Sequence, residues 1–211
     1  MDDRVDERRA LADAARRVIR ATRVTEADAD ELTSAAALLE QAAEVLERAS
    51  HAGPHCQIGW GPQGFRLGAA PAEFFPYSPV IGPLNPVAPQ VELHIGDGGE
   101  VTGTMHLTEQ YNGPPWDLGH GGVLALVFDE LLGIAGIAGA GGGFTGRLTV
   151  RYRKPTPILA DVELRAWLDQ ADGRKLVAHG EMRHDGVVTA EATGLFIQLA
   201  GPLASSEAAE G

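Results

Sequence analysis

Cysteine is nearly missing from this chain. Cys56 stands alone among 211 residues, so no internal disulfide can form, and the expected compartment is a reducing cytoplasm in which Cys56 is an ordinary loop thiol. Positive charge is scarce as well: 17 Lys and Arg face 29 Asp and Glu, a net charge of -12. That balance argues against a nucleic-acid partner, which normally meets a basic face, but it leaves room for a small anionic ligand held by a local cluster. The N-terminus is rich in Asp, Glu and Arg and lacks an apolar signal core, so no secretion signal is expected. A metal-binding spacing is lacking too. His51 and His55 have helix-like spacing, but Gly53-Pro54 breaks the helix that a zinc pair uses. No metal and no other cofactor is expected.

Long apolar runs are absent with one exception, and the rest of the chain is organised around it. A turn at Gly113-Pro114-Pro115-Trp116 and a glycine-rich approach lead into Val123-Leu-Ala-Leu-Val-Phe-Asp-Glu-Leu-Leu-Gly133. Apolar residues surround this helix rather than forming one stripe, so burial on most sides is expected. Asp129 and Glu130 interrupt it. A carboxylate there is costly unless it is paired, reaches water or has work to do. A membrane span over Val123 to Gly142 is the rival reading. Two central acids would each add about 2.5–3.5 kcal/mol to insertion, and the glycines after Leu132 weaken the helix. A central helix swallowed by a domain fits better, and no membrane partner is expected.

Residues 1–49 read as a helical hairpin. Leu11, Ala14, Ala15, Val18 and Ile19 share one side of its first helix. Thr25 is placed to cap the second, on which Leu32, Ala35, Ala36, Leu39, Ala43 and Leu46 recur at helical spacing. That apolar side must pack on its own domain or on a second copy. Residues 50–89 hold eight prolines among scattered aromatics, which excludes a central strand or a long helix and predicts an irregular strap. From residue 90 the period switches to two. Strands are predicted at Val91–Ile95, Val101–Leu107, Leu148–Tyr152, Val162–Leu168, Leu176–Arg183 and Val187–Leu199. Short turns at Asp97-Gly98-Gly99, Ala171-Asp-Gly-Arg174 and Asp185-Gly186 favour antiparallel neighbours. The expectation is an α+β domain over 90–200, a curved antiparallel sheet of about six strands wrapped around one helix. A small acidic tail, 201–211, is expected to be flexible.

This order of elements resembles the hotdog-fold acyl-CoA thioesterases, particularly the PaaI-type group and the mammalian thioesterase-superfamily members with an extended N-terminus. The resemblance covers about residues 90–199. It is carried by Gly113-Pro114-Pro115, His120-Gly121-Gly122, Asp129, Thr145, Tyr152 with Pro155 and Pro157, Gly173-Arg174-Lys175 and Ala192-Thr-Gly-Leu-Phe196. It implies hydrolysis of an acyl-CoA thioester, with an acyl-carrier protein as the second choice of thiol carrier. It also places the catalytic acid at Asp129, as general base or nucleophile, and leaves Glu130 structural. Thr145 matches a polar residue that helps hold the catalytic water or the thioester. Arg151, Arg153, Arg174 and Lys175 match positions that contact coenzyme A phosphates, for which Arg offers a planar fork of donors.

The chemistry needs donors for a developing oxyanion, and a helix start offers unpaired N–H groups with a partial positive charge. Gly121 and Gly122 admit an acyl group close to their N–H groups; a glycine turn needed only for packing is the plainer alternative. His120 orients either the loop or the carbonyl, or is simply a cap. His120 and Asp129 are nine residues apart, about 13 Å along a continuous helix. One copy cannot easily bring both to one carbonyl carbon, whereas a two-fold dimer can. A homodimer or a dimer of dimers is therefore expected. Two other functions remain open: a non-catalytic hotdog module binding acyl thioesters or a partner protein, and a hydratase, whose acid would sit near the helix start.

Overall fold

The computed structural model describes residues 4–50, 70–114 and 117–198. Cys56, His51, His55, Pro115, Trp116 and the tail predicted to be flexible lie outside the described residues. In chain order the elements are α1 (Val5–Val24), α2 (Ala29–Glu47), α3 (Pro71–Phe74), β1 (Gln90–Ile95), β2 (Val101–His106), a 3-10 turn (Glu109–Tyr111), β3 (Asn112–Gly113), β4 (Leu118–Gly119), α4 (Gly121–Ala140), β5 (Phe144–Tyr152), β6 (Asp161–Asp172), β7 (Lys175–His184) and β8 (Val187–Ile197).

Six strands form one antiparallel sheet in the order β1-β2-β6-β7-β8-β5, so α4 carries the chain from the β1-β2 side to the far edge. The turns follow from their sequences. Asp185 and Gly186 both adopt positive φ, 49° and 74°, the geometry whose twist suits a two-residue hairpin. Alternate residues of the sheet face one layer: Val162, Leu164 and Ala166 of β6, Leu176, Ala178 and Met182 of β7, and Ala190, Ala192 and Phe196 of β8. Onto them α4 presents Leu124, Val127, Phe128, Leu131, Leu132 and Ala135, all buried. Small residues beneath let the helix settle: a Cβ on Gly180 would stand 2.9 Å from Leu132 Cδ2. Gly141, at φ 80°, ends the helix, and the Gly142 N–H closes back on the Gly136 carbonyl at 3.0 Å. The helix is long and apolar enough to cross a membrane by composition, yet it lies against β5, β6, β7 and β8 of its own chain. This is the α+β, sheet-around-helix arrangement expected from the sequence.

Several expectations need correcting. The helix α4 is buried on most sides, as expected, but not on all. Gly122 and Leu126 are exposed, and Asp129 and Gly133 half-buried, so one stripe of the helix stays open. The open stripe runs beside β5, an edge strand whose residues are mostly exposed. β5 also starts at Phe144 rather than Leu148. Gly146 forms a bulge between Thr145 and Arg147, which breaks the alternation on which a sequence reading depends. The N-terminal helices do not close on each other as a hairpin. α1 packs instead against the 3-10 turn, burying Ala12 and pairing Arg20 with Glu109 at 2.8 Å. α2 is capped by Asp28, with a reciprocal bond from Glu31, rather than by Thr25. It buries no residue, and Leu32, Leu38, Leu39, Val45 and Leu46 remain exposed. Among the described residues, the apolar side of α2 therefore packs on nothing of its own domain.

The described part of the strap, 70–89, joins the core and is irregular apart from α3. Its anchor is Ser78, 1% exposed. The Ser78 hydroxyl donates to Glu130 Oε1 at 2.8 Å and accepts from the N–H groups of Val80 and Ile81 at 3.0 and 3.2 Å. Burial raises the Glu130 carboxyl above its ordinary range, the Ser78 bond partly offsets this, and the Asp129 charge adds to the rise. The folded state thus holds this proton more tightly than the unfolded chain does. Stability from Glu130 is present below its unfolded value and is lost as pH rises through the higher folded value. Glu130→Gln keeps an acceptor for Ser78 without the charge. It should raise Tm at pH 8, and the gain over the parent should vanish below pH ~4, as followed by thermal melts across pH.

Candidate active site

The start of α4 is held from two sides before the helix begins. β3 and β4 pair as a minimal ribbon, Asn112 with Gly119 and Gly113 with Leu118. The His120 N–H donates to the Tyr111 carbonyl at 2.9 Å, and Gly119 N–H to the Thr156 carbonyl at 2.8 Å. Gly113 is required by that closeness, because a Cβ there would lie 2.8 Å from His120 Cα. Gly113, the first residue of the turn named in the sequence, therefore supports the helix N-terminus.

His120 is the N-cap, and its Nδ1 accepts from the Gly122 N–H at 3.0 Å. The ring must then carry its proton on Nε2. The Val123 and Leu124 N–H groups both reach the His120 carbonyl, at 2.9 and 3.1 Å. The two glycines proposed as oxyanion donors therefore differ: Gly122 is already engaged by His120. The Gly121 N–H has no acceptor among the described residues and, at the first helical position, none within its own helix. Tyr152 marks the same spot. Its hydroxyl donates to the Gly121 carbonyl at 2.7 Å, and its ring would meet a Gly121 Cβ at 3.4 Å. Gly121 is thus the donor an incoming carbonyl oxygen can use.

Asp129 lies eight residues further along an unbroken helix, about 12 Å away at 1.5 Å per residue. The Thr145 hydroxyl donates to Asp129 Oδ1 at 2.9 Å, so Thr145 and Asp129 are brought together. The bulge at Gly146 sits beside that contact, where bulges commonly re-aim a side chain. Asp129 keeps its second oxygen beside the open stripe. Glu130, turned about 100° around the helix, faces Ser78 and the strap instead. Two adjacent acids have been given opposite surroundings.

The four carrier residues are not gathered within one chain. Arg153 and Arg151 lie 2.5 and 3.8 Å from Glu191, and Arg174 Nε donates to the Gln198 carbonyl at 2.7 Å. Glu191 and Ile197, the β8 residues opposite Arg151 and Lys175, are six residues apart, about 20 Å. Arg151 and Arg153 flank Tyr152 near the helix start, whereas Arg174 and the exposed Lys175 sit by the other end of β5. Among the described residues no group of three or more His, Cys, Asp or Glu is placed to hold a metal. The sequence reading passed over Tyr152 as a site residue, though the switch of Tyr152 against Arg151 and Arg153 put it on the helix side of β5. It also passed over Ser78, for which the proline-rich strap offered no signal.

Comparison with known proteins shows the family of the chain. Residues 119–191 match the model of the thioesterase superfamily. Acyl-coenzyme A thioesterase THEM4 of Xenopus laevis is 35% identical over 89 residues, and that of Bos taurus 34% identical over 82. These matches take in 41% and 38% of the chain and 40% and 33% of those proteins, so the chain spans well under half the length of the curated relatives it matches. The crystal structure of a thioesterase superfamily protein superposes with a TM-score of 0.75 at 36% identity, covering 90% of this chain and 94% of the other. That match takes in almost the whole of both chains, and the chain belongs to the thioesterase superfamily.

Proposed function

We propose that the protein hydrolyses acyl-coenzyme A thioesters to free acid and coenzyme A. The observation that carries this reading is Asp129: a carboxylate on a helix that is apolar apart from it and Glu130, fixed by Thr145 and left beside an open stripe. The curated relatives, named acyl-coenzyme A thioesterases, support the same chemistry.

In the proposed reaction the thioester oxygen accepts from the Gly121 N–H at the positive end of α4. Asp129 takes a proton from a water molecule as the water oxygen bonds to the carbonyl carbon. The carbonyl electron pair moves onto oxygen, then returns as the C–S bond breaks. The departing thiolate takes the proton from Asp129, giving the acid and the thiol. Direct attack by Asp129, forming an anhydride that water then opens, uses the same groups. In a single turnover in labelled water, label in Asp129 marks the anhydride route with water opening it at the Asp129 carbon.

The 12 Å between Gly121 and Asp129 in one chain requires two copies, the helix start of one facing the Asp129 of the other. The exposed edge of β5 and the open stripe of α4 supply surface for that pairing: Leu126, Phe144 and Tyr152 are 42, 52 and 54% exposed. The exposed leucines of α2 give a second surface that a further copy would cover. Light scattering should find a dimer or larger, and an active monomer at assay concentration would contradict the shared site. Cytoplasmic location is part of the same proposal.

Two substitutions isolate the chemistry. Asp129→Asn should lower kcat by about 10²–10⁴ with folding retained, whereas Glu130→Gln should change turnover little. Gly121→Pro removes the N–H at the first helical position, where proline is tolerated. His120 already has the extended φ and ψ, -61° and 129°, that a residue before proline prefers. This variant should keep its circular dichroism and lose about 10²–10³ in kcat. A panel of acyl-CoA substrates read with a thiol-reactive dye is the direct assay. Full activity in Asp129→Asn would remove the proposed mechanism.

A further inference from the structure

One basic patch in this acidic chain stands outside the residues already considered. Between α1 and the 3-10 turn lies a pocket of about 370 Å³, walled by Arg16, Arg17, Arg20, Thr108, Gln110 and Tyr111, with Asp13 as the one acid on its lining. Asp13 offsets Arg16, and Glu109 just beyond the lining offsets Arg20, so the three guanidinium groups leave one uncompensated positive charge in a protein whose net charge is -12. Two of the three have structural duties. Arg20 pairs with Glu109 at 2.8 and 3.1 Å. Arg16 bonds Asp13 at 2.5 Å and the Asn85 carbonyl at 3.0 Å. Together these bonds pin α1 to the strap and the 3-10 turn. Arg17 has no acceptor among the described residues and is exposed. The Thr108 hydroxyl donates to Gln110 Oε1 at 2.7 Å; of the two amide N–H donors one meets the Tyr111 hydroxyl, which leaves the other for a further acceptor.

The pocket is also tied to the reaction centre. Tyr111 lines it, and the Tyr111 carbonyl is the acceptor of the His120 N–H at 2.9 Å. The α4 N-terminus and the arginine pocket are thus one residue apart across Tyr111. We infer that this pocket binds a phosphoryl group, the phosphate of the thiol carrier, with Arg17 as the free cation and Arg16, Arg20 and Gln110 as surrounding donors. The inference rests on the proposed thioesterase reading and gives α1 a part in it: the helix outside the sheet domain supplies the carrier contact. Arg suits the task because its planar fork meets two phosphate oxygens at once. Arg153, held by Glu191, and Arg174, held by the Gln198 carbonyl, have partners as Arg16 and Arg20 do, so Arg17 is what sets the pocket apart.

The test compares two thioesters of the same acyl group, acyl-CoA and a truncated thioester without the nucleotide, in the parent, Arg17→Ala and Arg17→Lys. Arg17→Ala should raise KM for acyl-CoA about tenfold, the size of one charge-assisted contact. It should leave kcat and the truncated substrate unchanged, and Arg17→Lys should restore part of the loss. Calorimetric titration with coenzyme A and with inorganic pyrophosphate provides a readout independent of turnover. Coenzyme A should bind the parent, weaken in Arg17→Ala and be displaced by pyrophosphate. Binding of this kind without hydrolysis would overturn the proposed activity and leave the pocket standing. Hydrolysis unaffected by Arg17→Ala, or equal losses on both thioesters, would overturn the pocket and leave the activity standing. Pyrophosphate binding with no coenzyme A binding would overturn the carrier as its ligand.

Discussion

The packing of α4 onto its sheet is the constraint from which the rest follows. Phe128, Leu131 and Leu132 are fully buried against β6, β7 and β8, and with that face committed the helix runs unbroken for 20 residues. A straight helix is a ruler. It sets the free N–H at Gly121 and the carboxylate of Asp129 about 12 Å apart, too far to serve one carbonyl carbon. The proposed two-fold assembly answers to that separation, with the exposed β5 edge and the open stripe on α4 as its surfaces.

The same helix shows how one sequence gives two neighbouring acids different fates. Glu130 is covered by the strap, raised out of the ordinary carboxylate range by burial, and spends its acceptor on Ser78. Asp129 meets a hydroxyl from the edge strand and stays half-open. The difference is the turn of about 100° between successive residues, which sends one side chain under the strap and the other toward β5. The bulge at Gly146 and the hydroxyl of Ser78 complete the separation, one on each side of the helix.

Much of the sheet domain could be read from residues alone. Alternation at Val91–Ile95, Val162–Leu168 and Leu176–Met182, with glycine turns between, reports a one-sided sheet because half of each strand must be apolar. Asp129 announced itself as a charge where burial was expected. What escaped the reading depends on contacts distant in sequence. The first half of β5 is hidden by glycines, since Gly146 serves a bulge and not a strand face. The engagement of Gly122 by His120, which singles out Gly121, is a choice among N–H groups that only coordinates reveal. The scatter of Arg151, Arg153, Arg174 and Lys175 over about 20 Å follows from β8 register. The apolar stripe of α2 predicted packing, yet among the described residues it covers nothing of its own chain.

In the proposed mechanism the site is assembled from two chains, each incomplete. A chain carrying Asp129→Asn retains the donor at Gly121, and a chain carrying Gly121→Pro retains the carboxylate. Co-expressed with different tags and purified as the mixed species, the two should form dimers in which one of the two sites is intact. Hydrolysis of acyl-CoA by that species measures the shared geometry directly. The expected result is recovery of about half the parental kcat per dimer, from two parents that are each nearly inactive. Correctly folded mixed dimers no more active than either homodimer would contradict it.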